Sequence, residues 1–182
     1  RPAFDEAVSA GELDADEILR LAASLDQGSE HPLADAIVSA ARERNLVLSP
    51  VDDFDSGSGI GVRGKVEGKI MLLGNTAFMQ QDNVNVDGLA ATAEGWRIKG
   101  ASVMYLAVDG TLVGLLAVSD PIKQSTPEAV QALKAAGIRV IMATGDGIST
   151  AKAVAEQLGI DEVHGEVKPA DKLNLVDKLQ SE

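Results

Sequence analysis

Apolar positions near the start of the chain recur at helical spacing. Ile18, Leu19, Leu21, Ala22 and Leu25 fall on one stripe, and Leu33, Ile37, Val38 and Ala41 on a second, so two amphipathic helices are expected to lead. From Val51 the period changes, and Gly61 to Leu73 reads as two strands joined at Glu67-Gly68. Asn75 to Gln80 and Val86 to Arg97 return to a helical pattern. Val103 to Val108 and Thr111 to Val118 flank Asp109-Gly110, a pair suited to the positive φ of a tight hairpin. The character shifts near Asp120-Pro121. Thr126 as N-cap and Pro127 at the first helical position open a helix through Val130 and Leu133 that Gly137 stops. The β-branched run Ile138 to Ala143 predicts a buried strand, followed by Thr144-Gly145-Asp146, a helix over Ala151 to Leu158, a short strand near Val163 and a last helix from Ala170. Strand and helix alternate there, which predicts a parallel sheet. The expected architecture is an α+β domain over residues 1–118, an antiparallel sheet flanked by helices, followed by part of an α/β parallel-sheet domain over residues 119–182.

Composition narrows the chemistry. At 182 residues and 45% apolar content the chain can bury a core, and with only five aromatic residues that core must be aliphatic. A net charge of -12 opposes a nucleic-acid backbone as partner. The absence of cysteine excludes a disulfide framework, a thiolate metal site and a thiol nucleophile. No apolar run approaches the roughly 18 residues of a membrane span, and the opening Arg1-Pro2-Ala3-Phe4 has no signal-peptide pattern. A start without methionine and a stop directly after a helical pattern suggest a piece cut from something longer.

Several motifs carry candidate chemistry. Gly59-Ile60-Gly61-Val62-Arg63-Gly64 matches the glycine string of dinucleotide binders, and Gly59 to Lys65 most of a phosphate-binding loop. Both need a helix directly after the glycines, whereas the residues that follow are strand-like, so a glycine-rich turn or a bare backbone surface for a flat ligand is the better reading. His31, one of two histidines, stands before Pro32 at a helix start. It reads either as a cap or packed ring, or as a ligand group that stacks on a purine with the Glu30 and Asp26 acceptors nearby. Thr144-Gly145-Asp146 lies at the carboxyl end of the predicted parallel strand, where open α/β sheets bind ligands. Its hydroxyl and amides suit a phosphoryl group; Asp146 suits Mg²⁺ or a helix cap, and Lys172 adds either a positive charge or a solvated face. His164 reads as a strand-end residue.

Four of these segments occur in a recognisable order: Ser29-Glu30-His31-Pro32-Leu33, Gly57-Ser58-Gly59-Ile60-Gly61, Gly74-Asn75, and Asp120-Pro121-Ile122-Lys123 with Thr144-Gly145-Asp146. Together they resemble the soluble ATP-binding region of the heavy-metal, copper-transporting class of P-type ATPases, over essentially the whole chain. The resemblance implies a nucleotide-binding domain that holds the adenine of ATP with His31, Glu30, Gly57, Gly59, Gly74, Asn75 and Asp26, the last standing where the family usually has glutamate. It implies that Thr144, Asp146 and Lys172 belong to a haloacid-dehalogenase-like phosphorylation domain working with Mg²⁺, and that Asp120 to Lys123 form the hinge between domains. The phosphorylated aspartate and the Mg²⁺-binding signature of the family are absent from this sequence, so the fragment alone is expected to be inactive. Its partners would be ATP and the remaining phosphorylation, actuator and transmembrane domains, and its place the cytoplasmic side of a membrane protein. A stand-alone nucleotide-binding or regulatory module, a small phosphatase, and a pump for silver, zinc or cadmium are the alternatives.

Overall fold

The computed structural model describes residues 2–57, 61–120, 122 and 125–180. The chain divides into two compact units, one comprising residues 1–94 and 103–121, the other residues 95–102 and 122–182.

The first unit is built on a six-stranded sheet. Its strands are β1 (Ala3–Ser9), β2 (Val51–Gly57), β3 (Gly61–Val66), β4 (Lys69–Gly74), β5 (Ser102–Val108) and β6 (Thr111–Ser119), in the order β1-β6-β5-β4-β3-β2. β1 pairs with β6, β2 with β3, β3 with β4 and β4 with β5, each antiparallel. The expected hairpins form as read. Glu67 and Gly68 have φ of 54° and 76°, Asp109 and Gly110 of 47° and 79°, so both two-residue turns use positive φ twice, which matches the twist of the strands they join. Val66 then pairs with Lys69.

The helices α1 (Ala15–Asp26) and α2 (Pro32–Glu43) pack on one another, and α1 also packs on β1, β3 and β6. Asp14 caps α1, its Oδ1 accepting from the Glu17 amide at 2.8 Å. Ile18, Leu19, Leu25 and Ile37 meet Leu73, Leu106 and Leu116 in the core, aliphatic as the composition requires. The Arg20 guanidinium reaches Glu17 at 2.6 Å and Glu67 at 2.8 Å, tying α1 to the β3–β4 turn and holding the Glu67 carboxyl below its ordinary range. Two helices complete the order before β5, the short α3 (Thr76–Gln81) and the longer α4 (Asp87–Ile98).

The second unit carries α5 (Ser125–Ala135), β7 (Ile141–Ala143), α6 (Ile148–Leu158), β8 (Glu162–His164) and α7 (Pro169–Gln180). The parallel pairing is present: Ile141, Met142 and Ala143 face Glu162, Val163 and His164. Three expectations need correction. The helix begins at Ser125, so Thr126 and Pro127 lie within its first turn; a proline there removes an amide that has no intrahelical partner anyway. The strand is Ile141–Ala143 rather than Ile138 to Ala143, because β8 offers only three residues to pair with. The following helix starts at Ile148, a turn earlier than Ala151. A buried bond from Thr150 Oγ1 to the Ala101 carbonyl, 3.1 Å, ties residues 95–102 to α6.

Candidate functional site

The link between α1 and α2 brings Asp26, Glu30 and His31 onto one short turn. The Ser29 amide donates to the Asp26 carbonyl at 2.9 Å and the His31 amide to Ser29 Oγ at 3.2 Å. His31 is the N-cap of α2, with Pro32 following at the first helical position. Its Nδ1 accepts from the Leu33 amide at 3.2 Å. That bond puts the proton of a neutral imidazole on Nε2, on an exposed ring. Nδ1 therefore serves as the cap, and the Nε2 edge of the ring faces away from that bond. Glu30 is exposed beside it.

Asp26 differs from every other acid described. It is only 4% exposed, and its Oδ2 is buried with no hydrogen-bond partner among the described residues. Burial alone pushes its carboxyl up from 3.8 to about 7, with no cation in support. A polar atom so placed costs about 1 to 3 kcal/mol unless something satisfies it, which makes it the strongest local sign of a missing partner.

The glycines assemble through strand register. Gly57 pairs with Gly61 across β2 and β3, Gly61 with Gly74 across β3 and β4, and Gly74 with Tyr105 of β5. Three glycines thus form one row across three strands, and Asn75 follows Gly74 directly. Gly59 lies outside the described residues. The turn carrying Asp26 and His31 is held to β2 because a Cβ on Gly28 would lie 2.6 Å from the Phe54 ring, so that ring rests directly on the backbone. Asn75 caps α3, its Oδ1 accepting from the Phe78 amide at 2.9 Å. Sequence reasoning missed Phe78 and the packing role of Gly61: a Cβ on Gly61 would come within 2.2 Å of that ring. The one available signal was glycine at three strand ends, which needs the register to be interpreted. No helix follows the glycine string, since Gly61–Val66 is β3, so the dinucleotide and phosphate-loop readings lack their context.

In the second unit Thr144 follows β7. Its Oγ1 donates to Asp146 Oδ2 at 2.7 Å and accepts from the Asp146 amide at 3.2 Å. The Val167 amide donates to the Thr144 carbonyl at 2.9 Å, which anchors the lead-in to α7, the helix that carries an exposed Lys172. No group of three histidine or acidic side chains able to hold a metal ion exists among the described residues. Asp146 is the one carboxylate that the Thr144-Gly145-Asp146 turn would offer to Mg²⁺, an ion that takes most of its other ligands from phosphate and water. Among the described residues no helix is long and apolar enough to cross a membrane.

The chain is similar to several known proteins. The silver exporting P-type ATPase of Salmonella typhimurium is 44% identical over 164 residues, 90% of this chain and 20% of that protein. The copper-exporting P-type ATPase of Legionella pneumophila is 48% identical over 165 residues, 91% of this chain and 22% of that protein. This chain therefore spans about a fifth of the length of these relatives. The catalytic domain of the CPx-ATPase CopB-B, solved in a study of its conformational changes upon nucleotide binding, superposes with a TM-score of 0.71 at 27% identity, covering 99% of this chain and 61% of that one. The haloacid dehalogenase-like hydrolase model matches residues 2–182, and the chain belongs to that family.

Proposed function

We propose that this chain is the ATP-binding catalytic region of a Cu⁺-exporting P-type ATPase, with residues 1–118 as its nucleotide-binding domain and residues 119–182 as part of its phosphorylation domain. The observation that carries the reading is the α1–α2 turn. A buried carboxyl oxygen without a partner among the described residues stands five residues before an exposed imidazole edge, beside a strand that ends in glycine. A flat heterocycle bearing an amine and ring nitrogens can satisfy the first and stack on the second. In this reading His31, Glu30 and Asp26 hold the adenine, and Gly57, Gly59, Gly74 and Asn75 let it lie against backbone.

The phosphates leave the base pocket toward an aspartate elsewhere in the longer protein. That carboxylate attacks the γ-phosphorus as the bond to the β,γ-bridging oxygen breaks, and ADP departs. Thr144 donates its hydroxyl to a phosphoryl oxygen in place of Asp146 Oδ2, and Lys172 supplies positive charge. ATP hydrolysis by the complete protein drives export of the ion, with the remaining phosphorylation, actuator and transmembrane domains as partners and this region on the cytoplasmic side. Likeness to both a copper and a silver exporter supports a soft monovalent cargo. Residues that choose among copper, silver, zinc and cadmium lie outside this sequence.

The test is a calorimetric titration with ATP and GTP of the native chain and of His31→Asn. Asparagine keeps the N-cap acceptor and removes the ring, so melting should not change while ATP binding weakens by about 1 to 2 kcal/mol. Native binding is expected in the micromolar to millimolar range, roughly -8 to -4 kcal/mol. Equal binding of both nucleotides, unaffected by the substitution, would leave His31 as a cap only and overturn the reading.

A further inference from the structure

We propose that Asp26 reads the base as a neutral carboxylic acid, and that this protonation state makes the pocket selective for adenine over guanine. The inference rests on the nucleotide reading above and specifies the chemistry of the same site. A protonated carboxyl presents a hydroxyl donor beside a carbonyl acceptor. Adenine offers the matching pair, a ring N1 that accepts and an exocyclic amine that donates. Guanine carries two donors on the equivalent edge, its N1–H and its amine, and two donors match an ionised carboxylate. The charge on Asp26 therefore decides which purine fits.

The surroundings favour the neutral form. Asp26 is the last residue of α1, where the partial negative end of the helix opposes a second negative charge. On its own helix Arg20 is already engaged by Glu17 and Glu67. From the elements packed on α1, Glu30, His31 and Asp35 come with α2 and its lead-in, and Asp52, Asp53 and Asp55 with β2. Asp5 and Glu6 come with β1 and Lys69 with β4; on β3, Arg63 is paired with Asp82 at 2.7 Å and Lys65 is exposed. None of these groups forms an ion pair or hydrogen bond with the buried Oδ2. Burial without a cation is the condition under which a carboxyl stays protonated near neutrality, and its shift to about 7 agrees.

The sign of the pH dependence follows. If the complex needs the proton, affinity is level below pH 7 and falls as pH rises beyond it, by about thirtyfold between pH 6 and 8.5 for a site titrating near 7. ATP titrates its own terminal phosphate in this range, so Asp26→Asn is the reference. Its amide keeps one donor and one acceptor without a proton to lose, the same pair with which asparagine recognises adenine in DNA. ATP and GTP binding are measured by calorimetry from pH 6 to 8.5 for both proteins, and the Asp26 carboxyl ¹³C shift is followed with and without ATP.

The expected result is ATP binding by the native chain that falls about thirtyfold more than in Asp26→Asn across this range, GTP binding at least tenfold weaker at pH 6, and a carboxyl that titrates higher when ATP is bound. ATP affinity that rises with pH, with a carboxyl that titrates lower in the complex, would show that the carboxylate reads the base and overturn the inference. ATP binding with identical pH profiles in both proteins would also overturn it while leaving the nucleotide site intact. No ATP binding at any pH would remove the nucleotide reading itself, and the inference with it.

Discussion

Asp26→Asn should leave the protein more stable than the native chain at pH 8.5, by on the order of 2 kcal/mol, and less stable near pH 4 by a similar amount. The cause is linkage. The Asp26 carboxyl is raised by burial from 3.8 to about 7, so between these values the unfolded chain is ionised at this position while the folded chain keeps the proton. Stability is therefore fullest below pH 4, falls as pH rises toward 7, and stays at its reduced value above. At ~1.4 kcal/mol per pH unit the ceiling of the loss is on the order of 4 kcal/mol. The amide in the variant still lacks a partner, which takes back part of the gain and brings the net figure to about half. Glu67 and Glu162 contribute in the opposite sense: arginine neighbours lower both, so their stabilisation is lost as pH falls. Urea unfolding of the two proteins across pH 4 to 8.5 isolates Asp26, because every other acid is shared. Parallel curves would mean that Asp26 ionises as freely in the folded chain as in the unfolded one.

That behaviour could not be taken from the sequence, in which Asp26 is one acid among 28. Its burial follows from the packing of the last turn of α1, a tertiary property without a local signature. Features set by neighbours in sequence were legible: the stripes of α1 and α2, the Glu67-Gly68 and Asp109-Gly110 turns, the parallel β7–β8 pair, and the order of motifs that gives the family. Strands β1 and β2 were not, and the reason is physical. They are the two edges of the sheet, and edges are protected from further pairing by charge and irregularity. Asp5 and Glu6 interrupt β1 where its register shifts; Asp52, Asp53 and Asp55 do the same to β2, with Asp53 at a φ of 51°. The acids that keep these edges from pairing also hide the strand pattern. His31 and Asn75, singled out as ligand groups, both cap helices, so the residue types that suit adenine are also those that suit an N-cap.

Gly61→Ala should destabilise the protein by about 2 to 3 kcal/mol, the range for overpacking a filled site, although it adds a single methyl group. The new Cβ would stand 2.2 Å from Phe78 Cδ1, 2.6 Å from Cγ and 2.7 Å from Cε1, so the whole near edge of the ring must move. Retreat is blocked. Phe78 is 1% exposed, its amide is held by Asn75 Oδ1, and the Arg63 guanidinium sits 5.4 Å from the centre of its ring. Gly88→Ala is the contrast: nothing lies within 4 Å of the added atom, and alanine favours a helix over glycine by up to about 1 kcal/mol, so that variant should be neutral or slightly stabilised. Phe78→Leu removes the rigid ring, and in that background the added cost of Gly61→Ala should shrink by at least about 1 kcal/mol, a coupling expected only of side chains in contact. Urea denaturation of the four proteins of this cycle measures it; additive effects would mean that the ring does not rest on Gly61. The packing reaches the proposed pocket as well. Gly61 lies between Gly57 and Gly74 in the row, and Phe78 is bonded to Asn75. A ring displaced from Gly61 draws on the residue that follows Gly74, so the folded Gly61→Ala protein should also bind ATP more weakly than Gly88→Ala, without any ligand contact having been removed.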